Sequence, residues 1–162
     1  MKNKLKCAII GYGYMGEIRH RMVRQHPETE LIMVCETNPD NLTKDYNYSV
    51  VRDSKRVIES DVDVVFVCTP NDLIPDLAIK CLESGKNVFC EKPPGRTLND
   101  IVNIMNAEKD NPSTKLMFGF NHRYHPGVMK AKAIVDSKRM GNVRALRGLY
   151  GKSGGNNFAK SW

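Results

Sequence analysis

Hydrophobic and polar residues follow two different patterns along the chain, and the two patterns alternate. Short runs rich in Val, Ile and Phe are typical of strands that are buried on both faces of a parallel sheet. The longer segments between them repeat their apolar residues at helical spacing and are bounded by residues that cap helices. The predicted strands are residues 5–10, 31–35, 50–51, 62–68, 87–90 and 115–119. The predicted helices are residues 14–25, 54–59, a helix capped by Asn71 or Asp72 that ends at Gly85, residues 97–108 and residues 126–135.

Strand and helix alternate with short links over most of this length. Such an order favours right-handed strand-helix-strand units, and hence an α/β fold with a doubly wound parallel sheet. Residues 143–150 differ, since Val143, Ala145, Arg147 and Leu149 alternate with their neighbours as in a half-solvated strand. We therefore expect a second kind of sheet to begin there.

The first predicted strand leads directly into a glycine-rich motif of the form G-x-G-x-x-G. Its residues are Gly11, Tyr12, Gly13, Tyr14, Met15 and Gly16. Between a strand and a helix, this motif forms a tight turn, lets a pyrophosphate approach the backbone, and packs the helix closely on the strand. A dinucleotide site is therefore predicted at the end of the first strand.

An acidic residue stands where such a site needs one. Glu36 follows the second predicted strand, twenty residues after Gly16, where a carboxylate can bind the ribose hydroxyls of adenosine. It would repel a 2′-phosphate, and no arginine follows it immediately. The sequence thus favours NAD(H) over NADP(H).

Two further strands end in chemically active residues. Thr69, Pro70 and Asn71 follow the strand at 62–68, and Glu91 and Lys92 follow the strand at 87–90. The carboxyl ends of parallel strands face one crevice, so both segments should border the glycine motif. There a lysine can bind a substrate hydroxyl and carry its proton, although a solvated turn lysine gives the same pattern.

Composition narrows the classes of protein. A chain of 162 residues with 41% hydrophobic and 27% charged residues is globular. The excess of positive charge, +7 over the whole chain, comes from residues 113–162, which contain ten Lys and Arg and one acidic residue, Asp136. These basic residues form no recognised nucleic-acid-binding motif. No apolar run approaches the ~20 residues of a membrane span, and no secretory signal is evident, so a cytoplasmic location is expected. Five cysteines without C-x-x-C spacing predict buried thiols and no metal site.

Several strings together resemble one family. They are the glycine motif, VCETN at 34–38, VCTPN at 67–71, NVFCEKP at 87–93 and GFNHRYHP at 119–126. This combination is similar to the Gfo/Idh/MocA oxidoreductases, the relatives of glucose-fructose oxidoreductase and inositol dehydrogenase. The resemblance implies a Rossmann fold, NAD as cofactor, and hydride transfer at a hydroxyl-bearing carbon of a sugar, nucleotide sugar or cyclitol.

The resemblance also implies roles for single residues. The glycine motif with Tyr12, Tyr14 and Met15 would bind the pyrophosphate and Glu36 the ribose, with Thr69, Pro70 and Asn71 on the far side of the cofactor. Glu91 and Lys92 would lie beside the nicotinamide ribose, with Lys92 both binding the substrate and acting catalytically. Asn121 would contact the cofactor and Arg123 the substrate.

Family members continue into a second α/β domain and often form homo-oligomers. We therefore expect residues 1–122 to form a dinucleotide-binding domain. Residues 123–162 would supply a connecting helix and the first strand of a truncated substrate and oligomerisation domain, so that the chain is a fragment that binds cofactor. The alternative from another functional class is a non-catalytic NAD-binding regulatory or scaffold module.

Overall fold

The computed structural model describes residues 3–42, 47–149 and 151. The chain divides into two compact units, Met1–Gly119 and Phe120–Trp162. The first unit holds the sheet, and each unit is considered by itself below.

The first unit is a six-stranded sheet in which every strand pairs in parallel with its neighbours. Its strands are β1 (Leu5–Ile10), β2 (Thr29–Cys35), β3 (Ser49–Val51), β4 (Val64–Val67), β5 (Asn87–Cys90) and β6 (Leu116–Phe118). Its helices are α1 (Tyr14–Gln25), α2 (Ser54–Ile58), α3 (Ile74–Glu83) and α4 (Leu98–Asp110). The spatial order β3-β2-β1-β4-β5-β6 confirms the predicted doubly wound α/β fold.

Both faces of the sheet are covered, which explains the unbroken apolar runs. In β1, Cys7 and Ile9 join the cluster that includes Val23 of α1. Ala8 and Ile10 point to the opposite face, into the larger cluster that α2 and α3 cover. Because side chains alternate along a strand, a strand buried on both faces must be apolar at every position.

The order of the strands places a crevice at one edge of the sheet. The chain begins at β1 in the centre, runs outward to β3, and returns to β4 on the other side of β1. The connections after β1 and β4 therefore leave in opposite directions at their carboxyl ends. In sheets of this kind ligands bind at such a switch point.

The N-terminus of α3 is capped differently from the prediction. The predicted caps of α3, Asn71 and Asp72, are wrong: the N-cap is Leu73, with no side-chain hydrogen bond. Both predicted residues instead face Arg96, whose Nε donates to Asn71 Oδ1 at 3.3 Å and whose Nη2 lies 3.5 Å from Asp72 Oδ2. The two side chains thus contact the loop before α4 and do not cap α3.

The predicted caps at α4 and after α3 are confirmed. At α4, Thr97 and Asp100 form a reciprocal capping box. Gly85, after α3, has the positive φ of 76° that glycine adopts most easily.

The second unit contains a 3-10 turn, Asn121–Tyr124, and helix α5, Pro126–Asp136. His125 caps α5, since its Nδ1 accepts the Gly127 N–H at 3.2 Å. The strand predicted at 143–150 is not formed over residues 143–149, and Tyr150 lies outside the described residues. A strand needs a hydrogen-bonded neighbour, and alternation of side chains supplies none.

All five cysteines are free, and Cys7, Cys35, Cys81 and Cys90 are buried. Burial raises the pKa of the Cys35 thiol to about 11 and that of Cys81 to about 12, so these thiols stay protonated at neutral pH. Within the described part of the chain, no helix combines the length and apolar character needed to cross a membrane.

Candidate functional site

A cleft of about 500 Å³ opens at the carboxyl ends of β1, β2 and β4 in the first unit. It brings together five of the predicted site residues: Gly11, Gly13, Glu36, Thr69 and Pro70. It is also lined by Ile10, Cys35, Thr37, Asn41, Arg52, Ser54, Cys68, Leu73, Asp76 and Leu77. One wall is therefore polar and comes from β2 and β3, whereas the other is largely apolar and comes from β4 and α3.

The glycine loop fits its place only because it lacks side chains. Gly11 has a φ of 89°, and a Cβ there would lie 2.8 Å from the carbonyl oxygen of Cys68. A Cβ on Gly16 would lie 2.2 Å from the carbonyl oxygen of Gly11. Both distances are far inside van der Waals contact, so these two glycines are required for packing.

Gly13 serves a different purpose. A Cβ built on it meets no atom within 4 Å, and the residue is exposed in the cleft. It is also the N-cap of α1 and provides no capping side chain, so the helix begins at the cleft with its first amides uncapped by a side chain. The end of a helix with unsatisfied N–H groups attracts anions such as phosphate.

The carboxylate of Glu36 ties the glycine loop to the end of β2. Its Oε2 accepts the Tyr12 N–H at 2.6 Å, and its Oε1 accepts the Asn38 N–H at 2.7 Å. Partial burial pushes the pKa of Glu36 upward, but hydrogen bonds from Asn38, Tyr12 and the Asn41 side chain outweigh it and leave this pKa below its ordinary value. The group is thus held as an anion with lone pairs left for ligand hydroxyls.

Tyr12 contributes its backbone to the site and its side chain to the core. The ring is 2% exposed, and the hydroxyl pairs with Nδ1 of buried His20. Tyr48 packs edge-on against His20, with ring centroids 5.2 Å apart. Burial, assisted by Arg24, lowers the pKa of His20, so a neutral imidazole supports the loop from beneath.

Thr69 carries a polar atom that the fold leaves unsatisfied. Its Oγ1 is buried and, within the described residues, has no hydrogen-bond partner. Unsatisfied buried hydroxyls are rare and costly in native structures. Since Thr69 lines the cleft, a cofactor oxygen could supply the missing partner. The empty space at Gly13, the uncapped helix and the Thr69 hydroxyl together fit a dinucleotide.

Glu91 lies in a buried ion pair that the sequence did not reveal. Arg19 of α1 donates from Nε to Glu91 Oε1 at 2.7 Å and also from Nη2. The side chains are only 15% and 7% exposed, and the Arg19 guanidinium lies 4.5 Å over the Phe89 ring. A Cβ on Gly119 would approach Glu91 Oε2 to 3.0 Å, so this glycine makes room for the pair. The pair joins α1 to the end of β5.

The remaining predicted residues do not line the cleft. Lys92 is exposed directly after β5, and Tyr14 is 77% exposed at the start of α1. Met15 and Asn71 are half-buried near the same sheet edge. Asn121 and Arg123 lie in the 3-10 turn of the second unit. Roles for these residues, and for Glu91 in cofactor binding, stay predictions.

Comparison with known proteins settles the family. The family model described as the oxidoreductase family with an NAD-binding Rossmann fold matches residues 5–120. The chain belongs to the Gfo/Idh/MocA oxidoreductases. Its NAD-binding Rossmann fold is that of this family, as the motifs indicated.

Similar proteins include dehydrogenases of cyclitols. Inositol 2-dehydrogenase of Salmonella typhimurium is 29% identical over 159 residues, which cover 90% of this chain and 46% of that enzyme. The crystal structure of myo-inositol 2-dehydrogenase from Lactobacillus plantarum is 29% identical with a TM-score of 0.79, covering 87% of this chain and 43% of that one.

A further structure is scyllo-inositol dehydrogenase from Lactobacillus casei with bound NAD(H) and scyllo-inositol, 25% identical with a TM-score of 0.80. It covers 86% of this chain and 43% of its own. The chain spans less than half the length of the curated relatives it matches.

The second and third glycines of the motif, Gly13 and Gly16, give a matched test of packing against space for the ligand. We expect Gly16→Ala to lower the free energy of unfolding by about 1–3 kcal/mol or more, because its methyl group overlaps the Gly11 carbonyl. Gly13→Ala should lower the free energy of unfolding by less than about 1 kcal/mol, since its only structural effect is to replace glycine by a poorer N-cap residue. Its methyl group enters the cleft, so NAD affinity should fall at least about tenfold. Urea denaturation and calorimetric titration measure both. Equal stability of the two variants would contradict the packing argument.

The buried ion pair can be tested by removing one partner and then both. Arg19→Met should lower the free energy of unfolding in urea by about 3–5 kcal/mol, because it leaves the buried Glu91 carboxylate without its charge partner. Arg19→Met combined with Glu91→Leu should recover most of this loss. Arg24→Met, an exposed arginine on the same helix, is the control and should have little effect. A loss below about 1 kcal/mol for Arg19→Met would refute a stabilising pair.

Proposed function

We propose that the chain is the cofactor-binding part of an NAD(H)-dependent dehydrogenase that acts on a hydroxyl-bearing carbon of a cyclitol or sugar. The observation that carries the proposal is the cleft at the switch point. It is lined by Gly13, which is the uncapped N-terminus of α1, by Thr69, whose buried hydroxyl lacks a partner among the described residues, and by the anionic Glu36. These are the groups that a pyrophosphate and a ribose require.

Different residues of the cleft would bind different parts of the cofactor. The amides at Gly13 and the start of α1 would bind the pyrophosphate. Glu36 would accept hydrogen bonds from the adenosine ribose, and Leu73, Leu77 and Pro70 offer an apolar wall for the adenine. Because the strand order continues from β4 to β5, the nicotinamide end would point toward Lys92.

Oxidation of the substrate hydroxyl releases a proton, which a side chain of the protein would accept. NAD, when bound, supplies the hydride acceptor. Lys92, exposed after β5, would bind the substrate hydroxyl and, in its unprotonated form, accept the hydroxyl proton as the carbon is oxidised to a carbonyl. In the reverse direction the same side chain returns the proton. The pair of Arg19 and Glu91 fixes the backbone next to Lys92, which limits the positions that the amine can reach.

Similarity to inositol dehydrogenases supports a cyclitol within this substrate class. Five free thiols support a reducing location, the cytoplasm. A homo-oligomeric full-length protein remains a prediction that the family resemblance implies.

The proposed role of Lys92 gives the test of function. In the protein as encoded, Lys92→Met should lower NADH formation from inositols or sugars by about 100-fold or more, because the proton acceptor is lost. The dissociation constant of NAD should change less than about threefold, and Lys109→Met, an exposed lysine of α4, should change neither quantity. Turnover that survives in Lys92→Met would refute the catalytic role. Tight NAD binding without turnover on the whole substrate panel would favour the regulatory or scaffold module.

A further inference from the structure

The polar wall of the cleft contains a cation that the glycine motif does not predict. Arg52 follows β3 directly and lines the cleft together with Glu36, Asn41 and Ser54. Among the lining residues that the structure describes, it is the one cationic side chain. Sequence reasoning considered arginines next to Glu36 and missed one that lies sixteen positions later.

Strand pairing explains how these distant positions meet. Cys35 of β2 and Val51 of β3 are register partners, and the next residues along the two strands are Glu36 and Arg52. The Glu36 N–H donates to the Val51 carbonyl at 3.0 Å, which continues the ladder up to this point. Neighbouring strands lie about 4.8 Å apart, so the two residues stand side by side at the mouth of the cleft.

The two opposite charges nevertheless do not neutralise each other. The Glu36 carboxylate is bound to the backbone amides of Tyr12 and Asn38. Arg52 is exposed, and within residues 3–42, 47–149 and 151 its side chain takes part in no ion pair or hydrogen bond. Among these described residues, none therefore competes with a ligand for the Arg52 guanidinium beside the group proposed to bind the ribose.

We propose that Arg52 binds the 2′-phosphate of NADP(H) and thereby makes this dinucleotide a second, weaker cofactor of the same site. The inference rests on the proposed binding of NAD(H) in the cleft. A phosphate on the ribose 2′ position would lie near both side chains, repelled by Glu36 and attracted by Arg52. Guanidinium groups match phosphate oxygens in geometry as well as charge. Ser54 and Thr37 add hydroxyl donors on the same wall.

This arrangement gives each charge a distinct effect on cofactor choice. Glu36 gains hydrogen bonds from a free 2′-hydroxyl and so sets the preference for NAD(H). Arg52 gains little from a neutral hydroxyl and more from a dianionic phosphate. The ratio of the two affinities, rather than either affinity alone, is the quantity that Arg52 controls.

The experiment is calorimetric titration of NAD and NADP into the full chain and its variants. Arg52→Ala should weaken NADP about tenfold or more and NAD less than about threefold, while Arg52→Lys should retain part of the NADP affinity. Glu36→Gln should shift the ratio toward NADP, and the double variant with Arg52→Ala should lose that gain. NADP binding should also weaken more steeply than NAD binding as salt rises.

The matched control is Arg56→Ala, which removes the same charge from exposed α2 at a residue that does not line the cleft, and it should leave the ratio unchanged. Equal losses of NAD and NADP in Arg52→Ala, or a larger loss of NAD, would overturn the role in phosphate binding while leaving the NAD site intact. Failure of the unaltered chain to bind either dinucleotide would overturn the proposed function and this inference with it.

Discussion

The close approach of three backbone segments at the switch point is the constraint on which the site depends. The loop after β1 is packed so tightly that Cβ atoms on Gly11 and Gly16 would overlap the carbonyl oxygens of Cys68 and Gly11. These contacts hold the loop against the residue that follows β4 and hold the first turn of α1 against the loop. The uncapped N-terminus of α1, the space at Gly13 and Thr69 are brought to the same end of the sheet by that packing.

Two carboxylates extend this constraint across the sheet, and both are bound by the segment that begins at the loop. Glu36, after β2, accepts a hydrogen bond from the backbone amide of Tyr12. Glu91, after β5, accepts hydrogen bonds from the guanidinium of Arg19. The two carboxylates have different roles. Glu36 stays partly open to the cleft and can still bind hydroxyl groups. Glu91 is buried, and one of its oxygens accepts hydrogen bonds from Arg19 in a structural contact next to Lys92. The proposed ribose site and the segment that carries the proposed catalytic lysine are thus positioned by the glycine loop and by the helix that follows it.

Local pattern predicted those parts of the molecule that local chemistry determines. The bounds of α1, the glycine loop and the position of Glu36 follow from residue spacing along the chain. The expected strand is not formed over residues 143–149, because alternation of side chains cannot supply a pairing partner. The residues expected to cap α3 contact Arg96, a residue distant in sequence. Arg19 and Arg52 were missed for a related reason. Their partners or neighbours come from other strands, so the strand order had to be known first.

Hydrogen exchange of the chain with and without NAD tests most directly whether this cleft is the cofactor site. The account predicts slower exchange of the backbone amides at the start of α1, after β2 at residues 36–38, and after β4 at Thr69 and Asn71. Amides of α4, which contributes no residue to the cleft, should exchange unchanged. Protection confined to other parts of the sheet, or no protection at NAD concentrations well above the dissociation constant, would contradict it.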